Sequence, residues 1–270
     1  MRKWVVSDSF EQAVSKTLSI LHSIRFGFGP YPTASRTSLD LLKTAGARCF
    51  EDPEPARDEP LPASESARFE TLRKAALACV KCPHLVKSRT QVVFGVGSLK
   101  AELMFVGEAP GAEEDLQGQP FVGRAGQLLT KIIQAMGFRR DEVYIANVLK
   151  CRPDMPRGAS GNRKPTPEEM RTCLPWLEGQ ISLIKPRVMV ALGATAIEGL
   201  LGSTAPLSTV RGRWLDFRGI PLMATYHPAY LLRNQSVSEK RKVWEDMLQV
   251  LERLEKPISD KQRKYFTASE

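Results

Sequence analysis

Four short apolar runs mark the C-terminal three quarters of the chain: Leu103–Gly107, Val143–Asn147, Val188–Leu192 and Pro221–Thr225. Each is bounded by Gly, Pro or polar residues and is too short for a helix, so each is predicted to be a buried strand. Between them the apolar positions recur at helical spacing. Leu128, Leu129, Ile132, Ile133 and Met136 form one stripe within 124–136. Residues 167–183 are preceded by Thr166, with Glu169 three positions later, the spacing of a reciprocal capping box. Helical patterns also cover 67–78, 194–201 and 239–254. Strands alternating with helices predict a three-layer α/β/α fold with a central four-stranded, mostly parallel sheet. In such sheets the functional site lies beyond the C-terminal strand ends.

Upstream the pattern changes. Residues 7–24 read as a helix, with Phe10, Val14, Leu18, Leu21 and Ile24 near one face. Residues 26–66 carry six prolines (Pro30, Pro32, Pro53, Pro55, Pro60, Pro62), the composition of a linker, with a short helix expected around 37–45. The chain thus divides into an N-terminal extension (1–66), a dense domain (67–256) and a polar tail (257–270).

Composition narrows the class. With 42% hydrophobic and 26% charged residues, the 270-residue chain is ordinary for a globular protein. No apolar stretch is long enough to span a bilayer, and MRKWVVSDSFEQ lacks the apolar core of a secretion signal, so a cytoplasmic protein without a membrane partner is expected. The net charge is +9, but residues 1–66 hold 8 basic and 9 acidic residues, so 67–270 carries +10. A basic body suits a polyanion such as nucleic acid, although solubility alone can account for charge.

The chemistry collects at the predicted strand ends. The first run leads into GEAPG (107–111), the second ends in Asn147 with Cys151 shortly after, and the fourth precedes HPAYLLR (227–233). A carboxylate, an amide and an imidazole thus converge on one crevice. Cys79-x2-Cys82 has metal-ligand spacing, and Cys151 and Cys173 complete a four-cysteine set that suits zinc or an iron–sulfur cluster equally well. Cys49 is left over. An odd cysteine count argues against a disulfide framework.

Taken together, GEAPGAEEDLQGQPFVGRAGQLL (107–129), NVLKCRP (147–153), NRKPTPEEMRTC (162–173), RGRW (211–214) and TYHPAYLLR (225–233), preceded by Cys79-x2-Cys82, resemble the family 4 uracil-DNA glycosylases. The resemblance covers about 67–255. It implies a monofunctional enzyme of base excision repair that hydrolyses the N-glycosidic bond of deoxyuridine in single- or double-stranded DNA. It implies a [4Fe-4S] cluster on Cys79, Cys82, Cys151 and Cys173, with zinc the lesser alternative. Glu108 and His227 take the catalytic roles. Phe121, Asn147, Gly107 and Gly111 form the uracil pocket, with Gly111 standing where some relatives use Tyr to block the thymine methyl. Tyr230, Leu231 or Leu232 wedge into the base stack, and Arg233, Arg211 and Arg213 meet phosphates. Ala109 stands where other superfamily members carry a water-activating Asp, and Glu114 and Asp115 are nearby reserves. The Cys151–Cys173 interval holds 21 residues and includes an extra DMPRGAS segment. It contains no His, which argues against a self-crosslinking chemistry found in a related group. A monomer is expected, and the partner of the extension, if any, is unassigned. The competing readings are a non-catalytic iron–sulfur DNA-binding module and a glycosylase for another deaminated base such as hypoxanthine.

Overall fold

A computed structural model describes residues 64–155 and 161–267. The helices expected at 7–24 and 37–45, the Pro-rich linker, Cys49 and part of the DMPRGAS segment lie outside the described residues.

Ten helices and six strands follow in order among these residues: α1 (Glu65–Leu77), α2 (Pro83–Ser88), β1 (Val96–Gly97), β2 (Leu103–Gly107), α3 (Ala112–Gln117), α4 (Arg124–Ala135), β3 (Tyr144–Asn147), α5 (Pro167–Ile184), β4 (Val188–Leu192), α6 (Ala194–Leu201), α7 (Leu207–Val210), β5 (Trp214–Phe217), β6 (Ile220–Thr225), α8 (Pro228–Arg233), α9 (Val237–Arg253) and α10 (Asp260–Arg263). The sheet order is β1-β3-β2-β4-β6-β5. The four central strands are the four predicted runs and are parallel. The expected four-stranded sheet is extended to six by two short antiparallel edge strands, β1 and β5.

β2, β3 and β4 are buried along their whole length, which explains why they read as unbroken apolar runs. One face of the sheet packs Met104, Tyr144, Ala146 and Met189 against α5 and α6 residues such as Leu177 and Ile197. The other packs Phe105, Ile145, Val190 and Met223 against Leu129 and Ile133 of α4 and Met247 and Val250 of α9. The Thr166–Glu169 capping box is formed: the Thr166 hydroxyl accepts from Glu169 N at 3.2 Å and the Glu169 carboxylate accepts from Thr166 N at 2.7 Å. The segment read as a polar tail is docked. Gln262 Nε2 donates to Ala135 O at 2.9 Å, and Tyr265 packs on Trp244 with ring centroids 5.1 Å apart.

The strand order reverses at β2: its parallel neighbours β3 and β4 lie on opposite sides of it. That switch point opens a crevice beyond the C-terminal strand ends, where ligands bind in sheets of this type.

Candidate active site and four-cysteine corner

Gly107 and Asn147 close their strands side by side in register. Val148 N donates to Gly107 O and Leu149 N to Glu108 O, both at 3.0 Å, so the parallel pairing carries on past the strands and fixes Glu108 beside Asn147. Asn147 is 2% exposed, and its Oδ1 has no hydrogen-bond partner. An orphaned buried acceptor costs about 1–3 kcal/mol, which a bound donor restores. A Cβ on Gly107 would come within 2.4 Å of that oxygen and 2.5 Å of the Phe121 ring, so glycine leaves the space that both side chains use.

Phe121 takes a left-handed backbone conformation at φ 56°. For a residue other than Gly this costs on the order of 1–2 kcal/mol and needs support from its surroundings. The support comes from two sides. Arg140 donates from Nη2 to Pro120 O at 2.8 Å and Phe121 O at 3.0 Å. Glu114 accepts from Val122 N and Gly123 N at 3.0 Å and from Gly111 N at 3.1 Å. Gly126 completes the fit, because a Cβ there would stand 1.8 Å from Phe121 O. Glu114 and Asp115 are therefore held by backbone amides, Asp115 by Thr90 N at 2.9 Å. Sequence reasoning missed Arg140, which no motif marks. It also missed the positioning role of Glu114, although its spacing from Gly111 is that of a capping box.

His227 caps the N-terminus of α8, its Nδ1 accepting from Ala229 N at 3.1 Å. That bond puts the ring proton on Nε2, which is left to donate into the crevice. Burial, helped by the Arg233 charge, lowers its pKa to about 4, so the ring is neutral at physiological pH. The Phe121 ring lies 5.6 Å from it at 30°. Burial raises the Glu108 carboxyl above its ordinary value, opposed by a hydrogen bond from Thr195 at the start of α6 and by the Lys164 charge. Gly111 borders the Asn162 amide, whose Nδ2 would be 3.2 Å from a Cβ at 111. The long Cys151–Cys173 segment therefore reaches the crevice rim, which the sequence did not indicate.

The HPAYLLR segment is the helix α8 rather than a loop, because Pro228 sits at its first position and His227 caps it. This corrects part of the wedge and phosphate assignment. Leu231 is buried in the core. Tyr230 stacks on Tyr226 with centroids 4.6 Å apart and bonds Glu239 at 3.1 Å. Half-buried Leu232 and exposed Arg233 remain on the outside. Arg211 is committed to Asp246 at 2.7 Å and to Lys242 O at 2.8 Å, whereas Arg213 is exposed at the start of β5.

The four cysteines meet at a separate corner. Cys79 follows α1, Cys82 caps α2, Cys151 follows β3 and Cys173 lies in α5. Cys151 and Cys173 pack with Leu85, Val92 and Leu149, bordered by Cys82, Ala109 and Trp176. Burial raises the thiol pKa of Cys82 and Cys151, and that of Cys173 to about 12. Donors nonetheless point at the sulfurs: Arg89 Nη1 at 3.0 Å from Cys151 Sγ and Lys150 N at 3.2 Å from Cys173 Sγ. Among the described residues, ligand atoms of three or more His, Cys, Asp or Glu close to within 4.8 Å of one another at His84, Asp154 and Glu169, not at the thiols. A single tetrahedral zinc with bonds of about 2.3 Å would need sulfurs roughly 3.8 Å apart. The wider thiol set fits a cluster, whose iron–sulfur core separates its cysteine ligands. Arg163 bonds the carboxylates of Asp154 and Glu169, and His84 Nε2 lies 2.7 Å from Glu169 Oε1.

A carboxylate, an amide, a neutral imidazole and a phenyl ring thus lie at the switch point of a parallel sheet. The family model described as the uracil DNA glycosylase superfamily matches residues 94–248, and the chain belongs to that family. Its similarity extends to type-4 uracil-DNA glycosylases. It is 47% identical to that of Thermotoga maritima over 182 residues, which is 66% of this chain and 91% of that protein. It is 42% identical to that of Archaeoglobus fulgidus over 180 residues, 64% of this chain and 87% of that protein. To the type-5 uracil-DNA glycosylase of Pyrobaculum aerophilum it is 31% identical over 208 residues, 65% of this chain and 87% of that protein. Among the described residues no helix is long and apolar enough to cross a membrane.

Proposed function

We propose that this chain excises uracil from DNA by hydrolysing the N-glycosidic bond, the opening step of base excision repair, with Asn147, Phe121, Glu108 and His227 as the working residues. The observation that carries the pocket assignment is the unpaired Asn147 Oδ1 in register with Gly107. Uracil offers an N3–H to that oxygen and an O4 to the amide nitrogen. Cytosine offers a bare N3 and an amino group, and mispairs at both positions. Phe121 stacks on the extruded base, whose unstacking costs about a few kcal/mol.

As the bond breaks, the sugar becomes oxocarbenium-like and the departing uracil gathers negative charge on O2. The His227 Nε2–H donates to that oxygen. A neutral donor does this without a proton having to be taken up first, and a preorganised donor of this kind contributes about 3–4 kcal/mol. Glu108, once ionised, orients the attacking water and stabilises the cationic sugar. Gly111 forms the pocket edge. Leu232, Arg233 and Arg213 face the duplex. A monomeric, cytoplasmic protein is part of the same reading.

Cys79, Cys82, Cys151 and Cys173 hold a [4Fe-4S] cluster in this proposal. A bound cluster would cross-link the α1–α2 turn, the segment after β3 and α5. The test is release of free uracil from a uracil-containing oligonucleotide, with strand scission at that position only after alkali. Binding without release would favour the non-catalytic module, and release of hypoxanthine but not uracil would favour another base.

A further inference from the structure

Asp246 is 1% exposed on α9, the helix whose Met247, Val250 and Leu251 pack against the sheet. Its Oδ2 accepts from Thr225 Oγ1 at 2.6 Å and its Oδ1 from Arg211 Nη1 at 2.7 Å. Burial raises its carboxyl to about 6 even with these two donors opposing it. Replacing a buried ion pair by apolar side chains of similar volume is often neutral or stabilising, so net stability does not account for this carboxylate. Its place beside the crevice does. Thr225, also 1% exposed, ends β6 two residues before His227. Thr225 O accepts from Gly193 N at 2.9 Å, which ties the end of β6 to the end of β4. Gly193, at φ 94°, leaves room for the imidazole, since a Cβ there would stand 3.2 Å from His227 Cβ. Arg211 is fixed by Lys242 O as well as by Asp246, and its guanidinium carbon lies 5.7 Å from the Tyr226 ring centre.

We infer that Asp246 is a positioning residue for uracil release: it fixes Thr225 directly and Tyr226 through Arg211, and so aims the His227 Nε2–H into the crevice. This rests on the role proposed for His227 above. The two residues that precede His227 are thereby tied to one carboxylate on a separate helix. A shift at Thr225 passes along two residues of backbone to the imidazole, and a misplacement of about 1 Å at a catalytic group can cost about 10²-fold in rate. The hydrogen bond from Ala229 N to His227 Nδ1 sets which ring nitrogen carries the proton, whereas Asp246 sets where the ring stands.

The experiment compares the full chain with Thr225→Val, which keeps shape and removes the hydroxyl, with Thr225→Ser, which keeps the hydroxyl, and with Asp246→Asn, which keeps shape and removes the charge. Thr225→Val and Asp246→Asn are also each combined with His227→Ala. Single-turnover uracil release and the dissociation constant for the same oligonucleotide without uracil are read for each. Alone, Thr225→Val and Asp246→Asn are expected to slow release about tenfold while binding stays within about twofold, and Thr225→Ser to restore most of the rate. In the His227→Ala background neither change should slow the residual release by more than about twofold, because the group being aimed is gone. Asp246→Asn carries the test if Thr225→Val does not fold. Folded single variants with the wild-type rate, or equal losses with and without His227, would overturn the inference. Wild-type protein that releases no uracil would overturn it together with the functional reading, and the wild-type assay tells the two failures apart.

Discussion

The crevice and the cysteine corner gather side chains of different chemistry. The crevice holds an unpaired acceptor on Asn147, a neutral His227 and a carboxyl on Glu108 that burial biases toward its neutral form. It is prepared for a neutral, hydrogen-bonding base. The corner holds Arg89 Nη1 at 3.0 Å from Cys151 Sγ, and burial raises the thiol pKa of Cys82, Cys151 and Cys173. The two regions also draw on different parts of the chain: the crevice lies at the ends of β2 and β3, while the corner gathers residues beside α1 and α2, after β3 and within α5.

The sharpest way to break this division is His227→Ala. Loss of the Nε2 donor is expected to lower kcat by about 10²–10³-fold. Stability falls only through the lost α8 cap, about 1 kcal/mol or roughly 2–4 °C in Tm. Cys173→Ser should do the reverse, losing iron and thermal stability first. Equal Tm losses in the two variants would erase the distinction. Next comes Asn147→Ala, expected to cost about 10–100-fold in kcat/KM for uracil and to narrow its margin over cytosine; an unchanged margin would remove Asn147 from base reading.

The pH dependence separates Glu108 from His227. Neutral His227 persists down to about pH 4, so the acid limb of kcat/KM belongs to Glu108 and lies above the ordinary carboxylate value of 4.5. Stability moves differently. His227 takes up a proton near 6.5 when unfolded and near 4 when folded, so its contribution is present above 6.5 and is lost as pH falls from 6.5 to 4. The difference in stability between wild type and His227→Ala should shrink across that window, and a constant difference would contradict the buried neutral ring. The smallest effect is expected from Arg233→Ala, a drop of about one in the salt slope of DNA binding. Arg211→Ala, by contrast, leaves Asp246 buried and unpaired and should cost stability instead.

The sequence showed most of what periodicity can show. All four central strands and the helices α4, α5, α6 and α9 lie where apolar spacing put them, with ends differing by at most two residues, because each turns a run or stripe of apolar residues into the core. The edge strands β1 and β5 escaped notice because two to four half-exposed residues carry no period. α8 is absent from the predicted helices because six residues are too few for a stripe, although His-Pro at its start is an N-terminal signal. Motif resemblance located Glu108, Phe121, Asn147 and His227, and the structure brings them to one crevice. It could not supply the devices that hold them there: the left-handed Phe121, the Arg140 and Glu114 clamps, and Asn162 against Gly111. Those depend on contacts between segments distant in sequence. The same is true of the wedge, where burial of Leu231 becomes visible only once α8 is packed on the domain.

The central claim is that one preformed crevice reads uracil and cuts its glycosidic bond. Its most direct test is a single-turnover assay on an end-labelled oligonucleotide bearing one uracil, quantifying free uracil and alkali-dependent scission for wild type, Asn147→Ala and His227→Ala. The account predicts stoichiometric uracil release by the wild type, no scission before alkali, and large losses in both variants. Iron-loaded, folded wild-type protein that binds the oligonucleotide and releases no uracil would contradict it.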